Sequence, residues 1–254
     1  MVQPQEQESL GDSPWHVPGA VESPRHGFQG DREKRVPKPL LPLSLSVAIS
    51  RETGARGGSI GKRVGRKLGW QVYNQEVMEY IAQDGAVEHD AGADLTPAAA
   101  QWAEQRWQAV VRHCNLNTQP SVAALARIIL TLGAQGEVIL IGRGAGCLLP
   151  RESTLNVRII APKDDRIAYI SQWLRLTPEE AAEQVELRDR RRNAFVATYF
   201  RGQTGDLHQF DLILNSSLLG EDICADLIVQ AARAKLTSRQ QPDANQLWRP
   251  ESVD

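Results

Sequence analysis

The chain has 254 residues, a formal net charge of −2 and 24% charged residues, a balance that gives no general basis for nucleic-acid or membrane-surface binding. Its 41% hydrophobic residues are enough for a packed core. Cys114, Cys147 and Cys224 are too few and too scattered for a disulfide framework or a zinc site, so a cytoplasmic home is expected. No apolar run approaches the roughly 18–20 residues of a membrane span, and the N-terminus lacks the apolar core of a secretory signal.

Residues 1–43 are rich in Pro, Gly, Gln and charge and are expected to form a disordered leader, with Lys34–Leu43 as a semi-rigid linker. One folded domain is expected over 44–236, followed by a flexible polar tail over 237–254 that holds Trp248. Inside the domain, Leu45, Val47 and Ile49 alternate with small residues as a strand does. A glycine-rich turn follows, with helix-like spacing from about Ile60, and Trp70–Tyr73 starts a second strand. Gln75–Gln83 reads as a helix and 84–95 as a loop. Thr96-Pro97 is an N-cap with proline at the first helical position, opening a helix to about His113. Ser121 starts another, to about Gly133. Val138–Ile141 and Leu155–Ile160 are short apolar strands, and Asp164–Leu176 is a helix capped by Asp164 and Asp165. Thr177-Pro178-Glu179-Glu180 is a capping box that starts a long helix toward Tyr199. Asp211–Asn215 is the last strand and Glu221–Lys235 the last helix. Apolar strands alternating with helices predict an α/β fold, a parallel sheet covered on both faces.

Three segments carry chemistry. Gly54, Gly57, Gly58 and Gly61 lie between a strand and a helix N-terminus, where backbone N–H groups and the helix dipole favour a phosphate. The pattern G-x-x-x-x-G-K-[ST] is not matched: Gly61-Lys62 is followed by Arg63. Aligned on the following helix, the loop glycine is Gly54 and Gly57 stands where a lysine is usual, leaving Arg51, Arg56 or Lys62 to supply charge. Gly142-Arg143-Gly144-Ala145-Gly146 ends the Val138–Ile141 strand, where ligands of open α/β sheets bind, and Arg143 is suited to gripping a phosphate. Arg188-Asp189-Arg190-Arg191-Arg192 follows where a lid would lie; lid arginines neutralise charge on a transferring phosphoryl group, and Asp189 would orient one of them. Asn74-Gln75-Glu76 opens the helix where an acceptor would be read. The basic run Lys62, Arg63, Arg66 and Lys67 reads as a solvated helix face; His113 and His208 read as surface residues, and Tyr199 and Phe200 as core or a stacking wall.

Together these blocks resemble the cytidylate kinase-like family of the P-loop nucleoside monophosphate kinase superfamily, with a degenerate phosphate loop. AISRETGARGGSIGKRVGRKLGWQVYNQEVMEYIA is similar to that family's opening strand, loop, helix and acceptor-site start. ILIGRGAGCLLPRESTLNVRIIAPKDDRIAYI, RDRRRNAFVATYF and FDLILNSSLLG are similar to its GR motif, lid and closing strand. The resemblance implies a P-loop NTPase-type sheet with an arginine-rich helical lid, and transfer of the ATP γ-phosphoryl group, with Mg²⁺, to a nucleoside monophosphate of the CMP/dCMP class. By the same resemblance Gly54, Gly57 and Gly58 cradle the donor phosphates. Ser59 reaches the metal, Arg143 binds the acceptor phosphate beside Asn74 and Gln75, and Arg188, Arg190 and Arg192 close over the transferring group. Where the family carries Lys then Ser/Thr in the loop, this chain has Gly57-Gly58; where the GR motif continues with Asp it has Gly144; where the acceptor helix opens Asp-Arg it has Asn74-Gln75. These departures leave two alternatives beside the kinase: a non-catalytic nucleotide-binding or regulatory module, and a kinase for another small metabolite.

Overall fold

The computed structural model describes residues 44–83, 95–116, 119–200 and 205–240. The expected leader over 1–43, nearly all of the loop expected over 84–95, and the tail from 241 lie outside the described residues. The strands are β1 (Ser46–Arg51), β2 (Gln71–Tyr73), β3 (Val138–Ile141), β4 (Thr154–Ile160) and β5 (Leu212–Asn215). They form one sheet, every pairing parallel, in the order β2-β3-β1-β4-β5. The helices are α1 (Gly57–Leu68), α2 (Gln75–Gln83), α3 (Pro97–His113), α4 (Pro120–Gln135), α5 (Ala145–Leu148), α6 (Lys163–Leu174), α7 (Pro178–Phe200) and α8 (Ser216–Gln240).

The sheet is buried on both faces, which is why β3 is a short uninterrupted apolar run and β1 alternates apolar residues with small ones. On one face Val47, Ile49, Ile139, Ile141, Val157 and Ile159 pack with Ile60 and Val64 of α1 and Ile228 and Val229 of α8. On the other, Ala48, Val138 and Leu140 pack with Met78 and Ile81 of α2, Trp102 and Trp107 of α3, and the apolar side of α4. β4 is different. Its register sets Asn156 beside Ala48 and Arg158 beside Ser50, so its polar residues share the second face with the small residues of β1. Arg158 Nη1 donates to Ser50 Oγ at 2.7 Å. A charged residue thus sits inside the sheet, close to the carboxyl ends of the strands.

The helix starts follow local chemistry. Thr96 Oγ1 accepts from the Ala99 N–H at 3.2 Å. The Thr177 N–H donates to Glu180 Oε2 at 2.9 Å, and the Glu180 N–H to Thr177 Oγ1 at 3.3 Å, a complete capping box. Four expectations need correction. Helix α1 begins at Gly57, three residues before Ile60, because Arg56 turns left-handed (φ 58°) immediately before it. Asp164 and Asp165 do not cap α6: the cap position is Pro162, and the two aspartates lie in the first turn, where the helix dipole still favours them. Arg175, at φ 57°, stops α6 before Leu176. Helix α8 starts at Ser216, breaks at Gly220 (φ 76°, ψ 165°) and continues to Gln240, so the first residues of the expected tail are helical. The basic face of α1 is also more than solvated: Arg63 pairs with Glu221 at 3.2 Å and Asp222 at 2.7 Å, and Lys67 with Asp226. The charges clamp α1 to α8. Among the described residues no helix is long and apolar enough to cross a membrane.

Candidate active site

A cleft of about 1090 Å³ opens at the carboxyl ends of β1 and β3, the position where open α/β sheets bind ligands. Its floor is the loop from Glu52 to Arg56 and the first turn of α1. Arg51, Gly54, Arg56, Gly57, Gly58 and Ser59 all line it, as do Asn74 and Gln75 at the start of α2 and Arg143 after β3. Helix α7 forms the opposite wall through Arg188, Arg191, Arg192 and Phe195.

The loop backbone is held by close approach. A Cβ on Gly54 would stand 2.6 Å from the backbone oxygen of Arg166, so α6 packs directly on the loop. The turn after β3 is left-handed at three successive residues: Gly142 (φ 86°), Arg143 (φ 53°) and Gly144 (φ 71°). Both glycines are also required by space, since a Cβ at 142 would overlap the Arg51 guanidinium and one at 144 the Phe200 ring. The residue that replaces the family's aspartate is therefore where the end of α7 packs down.

Asp189 is not part of the cleft lining. It lies beneath it as a hub. Oδ1 accepts the Thr53 backbone N–H at 2.8 Å and Arg192 Nη1 at 2.8 Å, and Oδ2 accepts Arg166 Nη1 at 2.7 Å. Arg192 also donates to Thr53 Oγ1, and Arg166 to the Thr53 and Ala161 carbonyls. Glu52 forms a second hub, accepting from the Ala161 N–H at 3.2 Å beside Arg166 at 3.5 Å and Arg158 at 3.9 Å. Arg143 is ion-paired to Glu79 and lies 4.8 Å from the Phe195 ring centroid; its Nε is buried and finds no partner among the described residues.

Cations outnumber these carboxylates. Burial, then the like charges of Arg192, Arg143 and Arg158, lowers the Arg51 pKa to about 10, with Asp189 opposing. Burial also lowers the pKa values of Arg158 and Arg192, against the pull of Glu52 and Asp189. Guanidinium groups that depress one another's protonation make a site that favours an incoming anion.

Of the arginines in the 188–192 run, Arg190 is exposed and does not line the cleft, whereas Arg191 does. Positions 188, 191, 192 and 195 share one side of a 3.6-residue helix, and 190 falls outside that set. Asn74 lines the cleft, but its Oδ1 accepts the Val77 N–H at 2.9 Å and so caps α2. Glu52, Thr53, Arg158 and Arg166 complete the site without having been singled out in the sequence. Arg158 had a signal, a lone charge inside an apolar strand; Glu52 and Thr53 had only their place in the loop.

A polyphosphate suits this donor set of backbone amides and guanidinium groups. A magnesium ion fits only in one manner. Among the described residues no three His, Cys, Asp or Glu side chains cluster as metal ligands, and Asp189 and Glu52 are already bonded to arginines and backbone amides. Mg²⁺ in such sites takes few protein ligands, the rest being phosphate oxygens and water; Ser59, in the first turn of α1, offers a hydroxyl to the cleft.

Comparison with known proteins agrees with the architecture. The chain is similar in fold to an uncharacterized protein from Eubacterium ventriosum, at 17% identity and a TM-score of 0.53 over 75% of this chain and 99% of that one. Shikimate kinase from Bacteroides thetaiotaomicron overlays with 14% identity and a TM-score of 0.41, covering 76% of this chain and 98% of that one. A uronate isomerase of Corynebacterium glutamicum is 30% identical over 109 residues, which are 43% of this chain and 21% of the isomerase; the match thus spans about a fifth of that curated relative. The cytidylate kinase-like family matches residues 46–218, from β1 through the loop, the acceptor-side helix, the GR turn and the arginine-rich helix to the start of α8. A match of that extent, on a five-stranded parallel sheet with a glycine-rich loop at its carboxyl edge, makes this chain a member of the cytidylate kinase-like family, with a P-loop NTPase-type fold.

Proposed function

We propose that this protein transfers the γ-phosphoryl group of ATP, with Mg²⁺, to a nucleoside monophosphate of the CMP/dCMP class. The observation that carries the reading is the convergence of Arg51, Arg143 and Arg192 on one cleft above the N-terminus of α1. When bound, ATP·Mg²⁺ supplies the phosphoryl group: an acceptor oxygen bonds to the γ-phosphorus as the bond to the β–γ bridging oxygen breaks, and that electron pair leaves with ADP. The protein's part is positioning and charge stabilisation. Backbone amides of Gly57 and Gly58 and the α1 dipole hold donor phosphates, and Ser59 offers a hydroxyl to the metal. Arg192 and Arg188 face the transferring group from α7, with Asp189 fixing Arg192. Arg143 takes the acceptor phosphate in exchange for Glu79.

A second reading keeps the chemistry and changes the acceptor to another small phosphorylated metabolite. It is favoured by Asn74, whose carbonyl oxygen is spent on capping α2, and by Gly144, where Phe200 leaves no room for a carboxylate. One experiment tests both. A coupled kinase assay with ATP, Mg²⁺ and a panel of nucleoside monophosphates and non-nucleotide phosphate esters, with Arg143→Ala beside it, is expected to give turnover in the ordinary kinase range of about 1–100 per second that the variant loses. Turnover confined to a non-nucleotide phosphate ester selects the second reading. Nucleotide binding with no turnover on any acceptor defeats both and makes the protein a binding module.

A further inference from the structure

In this loop the side chain missing from the helix is replaced from the strand. We propose that Arg51 is the loop's phosphate-contacting cation, occupying from the end of β1 the space that a lysine at position 57 would take from the start of α1. This rests on the reading of the cleft as a polyphosphate site.

The geometry excludes having both side chains. A Cβ on Gly57 would stand 2.7 Å from Arg51 Cβ and 3.0 Å from its Cγ, closer than real contacts allow. Any residue but glycine at 57 must displace the Arg51 stem. Further along the side chain, a Cβ on Gly142 would lie 3.0 Å from Arg51 Cζ and overlap a terminal nitrogen. Arg51 therefore runs in a slot walled by two glycines, one opening α1 and one ending β3, and both glycines owe their smallness to it. The slot delivers the guanidinium to the group formed by Arg143, Arg158 and Arg192.

Pairing separates Arg51 from its neighbours. Arg143 faces Glu79, Arg158 bonds to Ser50 beside Glu52, and Arg166 and Arg192 share Asp189. Among the described residues Arg51 has no hydrogen-bonded or ion-paired partner, although it faces the cleft. Such a cation is stabilised by an anion from outside, and a guanidinium offers two donors to one phosphate. The other two candidates stand elsewhere. Arg56 lies 5.2 Å from the Tyr169 ring centroid, and Lys62 is exposed, more than a turn into α1.

The test measures binding as well as turnover. Calorimetric affinities for ATP·Mg²⁺ and for inorganic tripolyphosphate are taken on the full chain for wild type, Arg51→Gln, Gly57→Lys and the double variant Arg51→Gly/Gly57→Lys, in which the Arg51 Cβ that meets position 57 is removed with the rest of the side chain. Arg66→Gln, on the exposed side of α1, is the control, and melting temperatures report folding. Arg51→Gln is expected to weaken tripolyphosphate binding at least tenfold while remaining folded. Gly57→Lys alone is expected to weaken it too, since the new side chain collides with Arg51. The double variant, in which the slot is emptied before the lysine is installed, is expected to recover most of the affinity and of the transfer rate, a rescue that a purely structural role for Arg51 would not give. Arg51→Gln binding within threefold of wild type overturns the assignment while leaving the kinase reading intact. Gly57→Lys binding as wild type does overturns the slot argument. A wild-type chain that binds neither ligand overturns both this inference and the reading beneath it.

Discussion

Asp189 accepts the backbone N–H of Thr53 at 2.8 Å, so the arginine-rich helix is hydrogen-bonded to the glycine-rich loop through one carboxylate. The same carboxylate holds Arg166 and Arg192, whose side chains are only 11% and 21% exposed. Removing it leaves two enclosed guanidinium groups facing each other. Asp189→Ala is expected to cost about 2 kcal/mol, the range for hydrogen bonds to charged groups, which is roughly 4–8 °C in Tm for a domain of this size. Asp189→Asn, which keeps an acceptor for Thr53 but not the charge, is expected to fall between. Thermal denaturation decides it: an alanine variant melting within about 1 °C of wild type would mean that the hub contributes nothing to stability.

Gly144 and Phe200 form a second coupled pair. Restoring the aspartate usual in the family at this position places a side chain into the Phe200 ring. Aspartate tolerates a left-handed backbone better than most residues, so the penalty is chiefly steric. Gly144→Asp is expected to destabilise by about 1–3 kcal/mol, the usual cost of overpacking. The cost of Gly144→Asp should fall toward zero when it is introduced into Phe200→Ala, where the ring is gone. A double-mutant cycle with no coupling would show that the two residues do not compete for the same space.

These relationships explain how far the sequence could be read. The parallel sheet, the order of its elements and the position of the loop were legible because buried strands read as apolar runs and capping residues mark helix starts, as at Thr96 and Thr177. Membership of the family was legible from four blocks of residues in order. The hubs were not. Asp189 meets Thr53 across 136 positions, and no local pattern records that. Arg190 was grouped with its neighbours because a run of arginines hides its helical phase. Gly57 read as a loop glycine standing where a lysine is usual and Gly142 as the end of a strand, and neither position records that Arg51 lies against both.

The ion pairs between α1 and α8 carry a smaller expectation. Arg63 and Asp222 have side chains 34% and 71% exposed, and exposed pairs contribute about 0.2–1 kcal/mol. Arg63→Ala is expected to cost less than about 1 kcal/mol, and the difference from wild type should vanish near 1 M salt, where screening is nearly complete. Ile60→Ala, three residues earlier at a fully buried position, is expected to cost about 2–5 kcal/mol at any salt. Urea titrations of both variants at low and high salt compare the two. Equal costs would mean that the clamp, not the core, sets the packing of α1.

The pH dependence of polyphosphate binding follows from Arg51. Its pKa is lowered to about 10 in the free protein, well below the ordinary arginine range, through burial and then Arg192, Arg143 and Arg158. Asp189 is the one group that draws it upward, and Glu52 lies further along the same network beside Arg158. The folded chain binds this proton less tightly than the unfolded one. Its charge therefore opposes folding below about pH 10, and the opposition is relieved as pH rises from there toward the ordinary arginine range. A polyphosphate in contact with the guanidinium acts in the reverse sense and raises the pKa. Affinity is then at its full value below about pH 10. It falls above that pH, by up to tenfold per pH unit, as the free protein loses the proton that the complex must recover. Lys62 is a second cation lining the cleft, so wild type is compared with Arg51→Gln, which retains Lys62. Calorimetric titrations with tripolyphosphate between pH 8 and 11 are expected to show proton uptake and a steeper alkaline decline in wild type than in Arg51→Gln. Parallel declines in the two proteins would place the titrating cation elsewhere in the cleft and remove Arg51 from contact with the phosphates.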